Sequence, residues 1–131
     1  MMLWLDDIRP PWRFGYVGAE WAKTAAEAIE ILKTGKVTFA SLDHDLSEAA
    51  TIGMAPENEP TGYTVVLWME ENNVFPEEGV TVHSMNPAGA KRMVEGLRAI
   101  HRRKKLPYDL SPTWVPAITE STFSDRKKRR I

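Results

Sequence analysis

Three short, largely apolar runs stand out from the pattern of hydrophobic and polar positions along the chain. They cover residues 1–5, 37–42 and 80–83, and each is followed at once by polar side chains. Runs of this length and character are typical of strands that are buried on both faces of a parallel sheet. The pattern therefore predicts three central strands at these positions.

The segments between these strands carry the end signals and the periodicity of helices. Thr24, followed three residues later by Glu27, has the form of a capping box. Thr61 can cap a second helix. Asn86 followed by Pro87 is a strong start for a third, because Asn is a preferred N-cap and proline is favoured at the first helical position. We predict three helices, over residues 25–34, 62–73 and 87–105.

The remaining segments give weaker signals. Pro10 and Pro11 predict an extended or turned connection after the first strand, followed by an irregular stretch at residues 12–18. Residues 47–60 show no periodicity, and loops of this length are often lids or binding loops, although some are disordered. We expect two edge strands, over residues 19–23 and over residues 114–118 with their internal Pro116.

The alternation of strands and helices predicts one α/β domain. We expect a three-layer sandwich around a mostly parallel sheet, of the flavodoxin or receiver type. Residues 1–118 are assigned to this domain, and residues 119–131 to a basic polar tail. A chain of 131 residues is long enough to bury a core of this kind.

Composition restricts the class of protein further. The 43% hydrophobic and 27% charged content is ordinary for a soluble globular domain. The chain has no cysteine, which excludes disulfides and thiolate metal sites. Neither a membrane-spanning run nor a signal peptide is visible, so we expect a cytoplasmic protein without membrane contact.

The formal net charge of -1 conceals a strong asymmetry. Residues 1–90 contain 5 Lys or Arg and 14 Asp or Glu, whereas residues 91–131 contain 12 and 4. The split predicts an acidic site in the first part and a surface that attracts phosphates, such as those of RNA, in the second. The alternative is a basic helix and tail that only keep the protein soluble.

Carboxylates collect where the predicted central strands end. Asp6 and Asp7 follow the first strand, and Asp43 and Asp45 follow the second. Because the carboxyl ends of parallel strands meet at one edge of a sheet, we expect these side chains to lie together. Adjacent carboxylates repel unless a cation or protons intervene, so a hard divalent ion, Mg²⁺ or Mn²⁺, would suit them. The alternative is a solvated acidic turn in which Asp6 caps backbone amides.

Two histidines accompany these carboxylates. His44 stands between Asp43 and Asp45, and strand alternation directs it to the opposite side from both. His83 ends the third central strand. Imidazoles titrate near neutral pH and suit proton transfer. The alternatives are that His44 is a surface residue and that His83 is a hydrogen-bonded core residue.

The third strand runs directly into the helix that starts at Asn86. Free amides and the positive dipole end make a helix N-terminus a natural anion site. Ser84 and Asn86 add hydrogen-bond donors, with His83 beside them. This combination suits a phosphate ester, whereas the simpler interpretation is that Asn86 only caps the helix.

Four motifs in this order resemble the cyclic-phosphate processing receiver-domain family, a divergent branch of the response-regulator receiver fold. They are LDDIRP at residues 5–10, SLDHDL at 41–46, TGY at 61–63 and HSMNP at 83–87. The resemblance covers roughly residues 2–103 and implies a flavodoxin-like sheet of order 2-1-3-4-5. It also implies a role in hydrolysing cyclic phosphates on nucleotides or RNA ends.

The resemblance extends to individual residues. Asp6 and Asp7 match the acidic pair after the first strand of ordinary receivers, and Asp43 matches their phosphoacceptor Asp. His83 stands near the position where receivers have Thr or Ser, and the receiver Lys at the end of the last strand has no clear match. These departures argue against a plain phosphorelay role.

Together, the residues and the resemblance predict a metal-assisted phosphoesterase. Its metal ligands are Asp6, Asp7, Asp43 and Asp45. Its catalytic residues are His44 and His83, as general base and acid, with Asp43. Its substrate-binding residues are Arg9, Thr61, Ser84 and Asn86.

The expected substrate is a cyclic nucleotide or an RNA with a cyclic phosphate end, and the basic tail is expected to contact RNA without sequence preference. The principal alternative is a non-catalytic receiver-like module that binds a phosphorylated ligand or a protein partner. A third interpretation is an RNA-binding accessory protein. The oligomeric state is left open.

Overall fold

Five parallel strands form the sheet of this protein. The structure is a computed structural model, and it describes residues 1–51 and 53–115. The strand order is β2-β1-β3-β4-β5, and every neighbouring pair is parallel. The strands are β1 Met2–Leu5, β2 Glu20–Ala22, β3 Phe39–Leu42, β4 Val80–His83 and β5 Thr113–Val115. This order confirms the predicted receiver-like or flavodoxin-like α/β fold.

The α-helices of the described residues follow β2, β3 and β4, and two of them follow β3. They are α1 Ala25–Leu32, α2 Glu48–Thr51, α3 Gly62–Asn72 and α4 Pro87–Lys104. The three predicted helices are confirmed to within two residues at each end. Their N-caps act as the sequence predicts, since Thr24, Thr61 and Asn86 each accept a backbone N–H from the first turn.

Two elements form where the sequence predicted none. A 3-10 helix, Pro11–Phe14, lies in the stretch expected to be irregular, because proline fits its first position and Gly15 ends it at φ 78°. The short helix α2 lies within the expected loop, and Ser47 Oγ accepts the Ala50 N–H there. Elements of one turn are too short to show periodicity, so the pattern could not reveal them.

One face of the sheet is covered by helices. Alternate residues of the central strands point to this face, where α1, α3 and α4 pack on them. The strand residues of this core are Leu3, Leu5, Ala40, Leu42, Val80 and Val82. Their apolar side chains are what anchors the three helices to the sheet.

The opposite face is covered by the connection between β1 and β2. Trp4 is fully buried there, with Phe14 stacked on it at 5.7 Å and Tyr16 at 5.8 Å between ring centroids. Ser41 and His83 belong to the same face, since they alternate with the core residues of β3 and β4. An aromatic segment thus forms the layer on this side within the described chain.

The ladder continues past the strand ends and so positions the acidic residues. Asp6 N–H donates to Ala22 O at 3.0 Å, and Asp43 N–H donates to Leu5 O at 2.9 Å. Leu5 pairs with Leu42, so the residues that follow them leave the sheet side by side. The carboxyl edge therefore carries Asp6 and Asp43 together, as the parallel topology requires.

Residues 116–131 lie outside the described part of the chain. The last residues of the predicted strand at 114–118 and the whole predicted basic tail fall within that segment. Within the described part, no helix combines the length and the apolar character needed to cross a membrane.

Candidate active site at the carboxyl edge of the sheet

Asp6 is the most heavily hydrogen-bonded carboxylate of the site. Its Oδ1 accepts the N–H groups of Ile8 at 3.0 Å and Arg9 at 2.8 Å. Its Oδ2 accepts Arg9 Nε–H at 2.8 Å and lies 3.1 Å from His83 Nε2. Burial opposes ionisation, but these hydrogen bonds, first of all from His83, hold the pKa of Asp6 below its ordinary value. Asp6 is thus ionised, binds the Arg9 side chain and caps backbone amides.

Arg9 lies between two carboxylates. Besides its contact with Asp6, its Nη2 donates to Asp43 Oδ2 at 3.3 Å and to the carbonyl oxygen of His83 at 3.4 Å. Its own carbonyl oxygen accepts the Trp4 indole N–H at 2.7 Å. The residue predicted to bind phosphate therefore also neutralises the buried pair of aspartates.

His83 belongs to a buried chain of polar groups. Its Nδ1 lies 2.6 Å from Ser41 Oγ, and its ring stacks on Trp4 with centroids 4.0 Å apart. Since ionised Asp6 can only accept, we assign the proton to Nε2, and Nδ1 then accepts the Ser41 hydroxyl. Ser41, Asp6 and His83 are at most 1% exposed, so this network is part of the core.

A cavity of about 260 Å³ opens beyond the ends of β1, β3 and β4. Its polar lining consists of Asp7, Arg9, Asp43, Asp45 and Ser84. Three carboxylates and one guanidinium give this lining an excess of negative charge. We call it the acidic cavity.

Burial and neighbouring charges both change the titration of the carboxyl groups in this cavity. Burial, and next the charge of Asp6, raise the pKa of Asp43 to about 7 although Arg9 opposes the shift. Burial also raises the pKa of Asp7, and the charges of Asp6 and Asp45 add to that effect. The pKa values of Asp43 and Asp7 are thus raised first by burial, and neighbouring carboxylates add to the shift.

The residues present fit a hard divalent cation, but not all predicted ligands are equally free. Asp6, Asp43 and His83 bring one ligand atom each within 4.8 Å of one another. Asp6 Oδ2 already accepts from Arg9, and both ring nitrogens of His83 lie within hydrogen-bond distance of protein partners. The carboxylates that face the acidic cavity are the better donors, because Mg²⁺ and Mn²⁺ prefer carboxylate oxygen.

His44 lies on the other side of this segment. Its Nδ1 is 2.8 Å from Asp45 Oδ1, and it lines a second cavity of about 190 Å³ together with Thr61. Asp45 lines both cavities, whereas Asp43 lines only the acidic one. The alternation expected for residues 43–45 therefore holds for Asp43 and His44 but not for Asp45, which contacts His44 and lines the same cavity.

Two glycines let helices approach these residues: Gly62, which belongs to the TGY motif, and Gly89, which lies outside the four motifs. A Cβ at Gly62 would overlap the carbonyl oxygen of Asp43, and the Gly62 N–H donates to His44 O at 2.9 Å. A Cβ at Gly89 would lie 2.6 to 2.7 Å from three ring atoms of His44. A glycine in the first turn of a helix, where Ala would be favoured, is the signal that could have revealed both.

The start of α4 forms one wall of the site. Asn86 Oδ1 accepts the Gly89 N–H at 3.0 Å, and its Nδ2 donates to Asp45 Oδ1 at 3.3 Å. Ser84 Oγ accepts the Asn86 N–H at 3.1 Å, and Ser84 is part of the lining of the acidic cavity. Asn86 thus caps the helix and at the same time holds Asp45.

The structure therefore divides the predicted site residues into groups. Arg9, Ser84 and the aspartates at 7, 43 and 45 meet at the acidic cavity, and His44 and Thr61 meet at the second cavity. Thr61 also caps α3 through the Tyr63 N–H. Asp6 and His83 lie behind the acidic cavity in the buried network, outside both linings.

Comparison with known proteins bears on this arrangement. No curated protein gives a significant match to the chain. The family model of the cyclic-phosphate processing receiver domain matches residues 1–99, which include every site residue described above. The sequence match, the strand order and the acidic carboxyl edge agree, and the chain belongs to the cyclic-phosphate processing receiver-domain family.

Proposed function

We propose that this protein is a metal-assisted phosphoesterase that hydrolyses cyclic phosphates on nucleotides or RNA ends. The observation that carries the proposal is that the acidic cavity and the second cavity, which contains His44, share Asp45, in a chain whose family is described as cyclic-phosphate processing. Carboxylates, a guanidinium and an oriented imidazole at one sheet edge suit phosphodiester hydrolysis better than a passive docking surface.

A divalent cation is part of the proposal because of charge. A cyclic phosphodiester is an anion, and the three carboxylates of the acidic cavity would repel it. Asp7, Asp43 and Asp45 would hold Mg²⁺ or Mn²⁺. When bound, such an ion supplies positive charge to the phosphate oxygens and to a developing alkoxide.

His44 is the proposed general base. Its contact with Asp45 orients the ring and favours a proton on Nδ1, which leaves Nε2 free to accept a proton from the attacking water. Arg9 and Ser84 line the same cavity as the carboxylates and would orient the phosphate. Thr61 and Asn86 support this site through the helix starts that they cap.

His83 has a different part in this proposal from the acid role that its sequence position suggests. Both of its ring nitrogens face buried partners, so it has no free nitrogen for a substrate. We assign to it the positioning of Asp6, which in turn holds Arg9. Its replacement is expected to lower stability as well as activity, unlike the replacement of His44.

The test is turnover of a panel of 2′,3′-cyclic and 3′,5′-cyclic nucleotides, with Mg²⁺, with Mn²⁺ and with chelator. We expect metal-dependent hydrolysis by the wild type and a loss on the order of a hundredfold to ten-thousandfold in kcat for His44→Ala. The matched control is His101→Ala, in the last turn of α4, which should retain wild-type turnover.

Two results would contradict the proposal. Near wild-type turnover by His44→Ala would show that His44 is not the general base. Clear binding of cyclic phosphates without any turnover would favour the alternative function, a receiver-like module that binds a phosphorylated ligand.

A further inference from the structure

Two apolar side chains line the acidic cavity among its polar groups. Ile8 is 74% exposed and Met85 is 71% exposed, and both belong to the lining. Ile8 follows β1 and Met85 follows β4, so the apolar part of the cavity comes from two different turns. The site therefore offers a ligand both charged groups and apolar contact area.

Both turns are held in place by hydrogen bonds. The Ile8 N–H donates to Asp6 Oδ1 at 3.0 Å, which fixes the backbone where this side chain leaves it. Met85 stands between Ser84, whose carbonyl oxygen accepts the Trp114 indole N–H at 2.9 Å, and the helix cap Asn86. The backbone that carries the two apolar side chains is thus held in place before a ligand arrives.

Exposure alone does not single out these residues. Val17 is 85% exposed and Met54 is 74% exposed, and isolated apolar side chains on a surface are normal. Ile8 and Met85 differ because they share one cavity with the groups proposed to bind phosphate. A ligand that fills this cavity can contact apolar side chains as well as the groups proposed to bind phosphate.

We propose that Ile8 and Met85 are specificity-determining residues of the acidic cavity, and that they contact the nucleobase of the cyclic phosphate bound there. This inference rests on the proposed function and assigns two further residues to the same site. A nucleobase is planar, its faces are apolar, and apolar side chains commonly contact such faces. The thioether of Met85 adds favourable contact with an aromatic ring.

The inference predicts discrimination between ligands that share the same phosphate. A ribose 2′,3′-cyclic phosphate without a base presents the phosphate and sugar alone, so it forgoes the apolar contacts of Ile8 and Met85. Partial burial of two such side chains corresponds to a preference of about tenfold or more for the base-bearing ligand.

The test measures binding and turnover in the full-length protein. We would compare a nucleoside 2′,3′-cyclic phosphate with base-free ribose 2′,3′-cyclic phosphate, and a nucleoside 3′-monophosphate with ribose 3-phosphate in calorimetry. The variants are Ile8→Ala, Met85→Ala and the double variant. The matched control is Val17→Ala, which also shortens an exposed apolar side chain.

We expect the wild type and Val17→Ala to prefer the base-bearing ligand about tenfold, mainly through KM or Kd. The double variant should lose this preference, through a higher KM or Kd for the base-bearing ligand. Melting temperatures should stay unchanged, because the truncated side chains are exposed.

The outcomes separate this inference from the proposed function. Equal hydrolysis of both cyclic substrates by the wild type, or a preference that survives the double substitution, would overturn the inference and leave the phosphoesterase intact. A base-dependent calorimetric affinity that the double variant loses, without any turnover, would support the inference and contradict the proposed function.

Discussion

At the scale of single residues, burial and a neighbouring charge change the titration of the Asp43 carboxyl group. Its side chain is 9% exposed, it follows a buried strand, and the carboxylate of Asp6 raises its pKa further. With a pKa of about 7 instead of 3.8, it holds a proton in the folded state over a range where the unfolded chain has released it. Protonation of this group therefore stabilises the fold.

The pH dependence of stability follows from that shift. Between about pH 4 and pH 7 the folded state binds one more proton than the unfolded state, so the free energy of unfolding falls as pH rises. The contribution is present in full below pH 3.8 and is lost as pH rises through about 7. Over this range the free energy of unfolding should fall by on the order of 1 kcal/mol per pH unit.

Urea unfolding of the wild type and of Asp43→Asn from pH 4.5 to 8, with chelator, measures this slope. The free energy of unfolding of Asp43→Asn should not fall over this pH range. That of the control Glu20→Gln, at an exposed position on β2, should fall as in the wild type. Parallel curves for the wild type and Asp43→Asn would show that Asp43 titrates normally.

The position of His44 depends on a residue with no side chain. Its ring occupies the space that a Cβ at Gly89 would take, and its Nδ1 contacts Asp45. Gly89 is therefore a positioning residue for the proposed general base.

Gly89→Ala should lower kcat by roughly tenfold or more, because a general base must lie within hydrogen-bond reach of the proton that it abstracts. Thermal stability should change little, since alanine favours the helix by about 1 kcal/mol and offsets part of the crowding. The control is Gly96→Ala in the same helix, where the nearest atom is the Tyr63 hydroxyl at 3.3 Å. Unchanged kcat in Gly89→Ala would show that this contact does not position the ring.

At the scale of elements, the starts of α3 and α4 hold the segment of residues 43–45 from two sides. Gly62 brings α3 against the backbone of Asp43, and Asn86 brings α4 against Asp45. Both helices also pack on each other and on the sheet. The loop after β3 is thereby fixed although it has no regular structure of its own.

Gly62→Ala is the sharpest test of this arrangement. The added methyl group would overlap the carbonyl oxygen of Asp43 and crowd Met93 Cε at 2.9 Å, and backbone cannot yield as a side chain does. We expect a loss of about 2 kcal/mol or more in the free energy of unfolding. Gly96→Ala should stay within about 1 kcal/mol of the wild type. Equal stabilities in chemical denaturation would rule out a tight contact at Gly62.

At the scale of the whole molecule, the sheet order brings the ends of β1, β3 and β4 to one edge and leaves that edge acidic. Within the described part of the chain, basic side chains gather elsewhere. Helix α4 exposes Lys91, Arg92, Arg98, Arg102 and Lys104. The molecule thus separates an acidic edge from a basic helix surface, in line with the charge asymmetry of the sequence.

Metal binding should be visible as a change in global stability. A cation that binds only the folded state raises the free energy of unfolding by about 2.7 kcal/mol at a hundred times its Kd. Melting curves of the wild type should therefore shift upward with Mg²⁺ or Mn²⁺, and Asp7→Asn should reduce the shift. Glu20→Gln, an exposed acidic position outside the site, should respond like the wild type. Identical curves with and without saturating metal would contradict the metal role.

The basic surface leads to the last prediction. We propose that α4, with the basic residues at 126–130, attracts RNA without sequence preference. Affinity should then fall steeply with salt, because bound phosphates release counterions. Removal of residues 124–131 should weaken RNA binding and leave turnover of small cyclic nucleotides intact. Salt-independent affinity would exclude this mode of binding.

Local signals in the sequence determined most of the fold. Apolar runs located the central strands, and Thr24, Thr61 and Asn86 located the helix starts, because caps act on amides within three residues. The parallel topology then placed the acidic residues at one edge, since parallel strands share their carboxyl ends. The one-turn elements at 11–14 and 48–51 were not predicted, because a single turn is too short to show a periodicity.

Only the tertiary structure decided which site residues are open and which are buried. The contact between His83 and Asp6 joins positions 77 residues apart, and Arg9 reaches Asp43 across 34. Alternation along β4 does assign His83 to the face of Thr81, but Trp4 and Ser41 enclose its ring only after three strands have paired. Composition and spacing specify the residue types at a sheet edge. Burial, and with it the availability of each carboxylate and imidazole, depends on neighbours that only packing brings together.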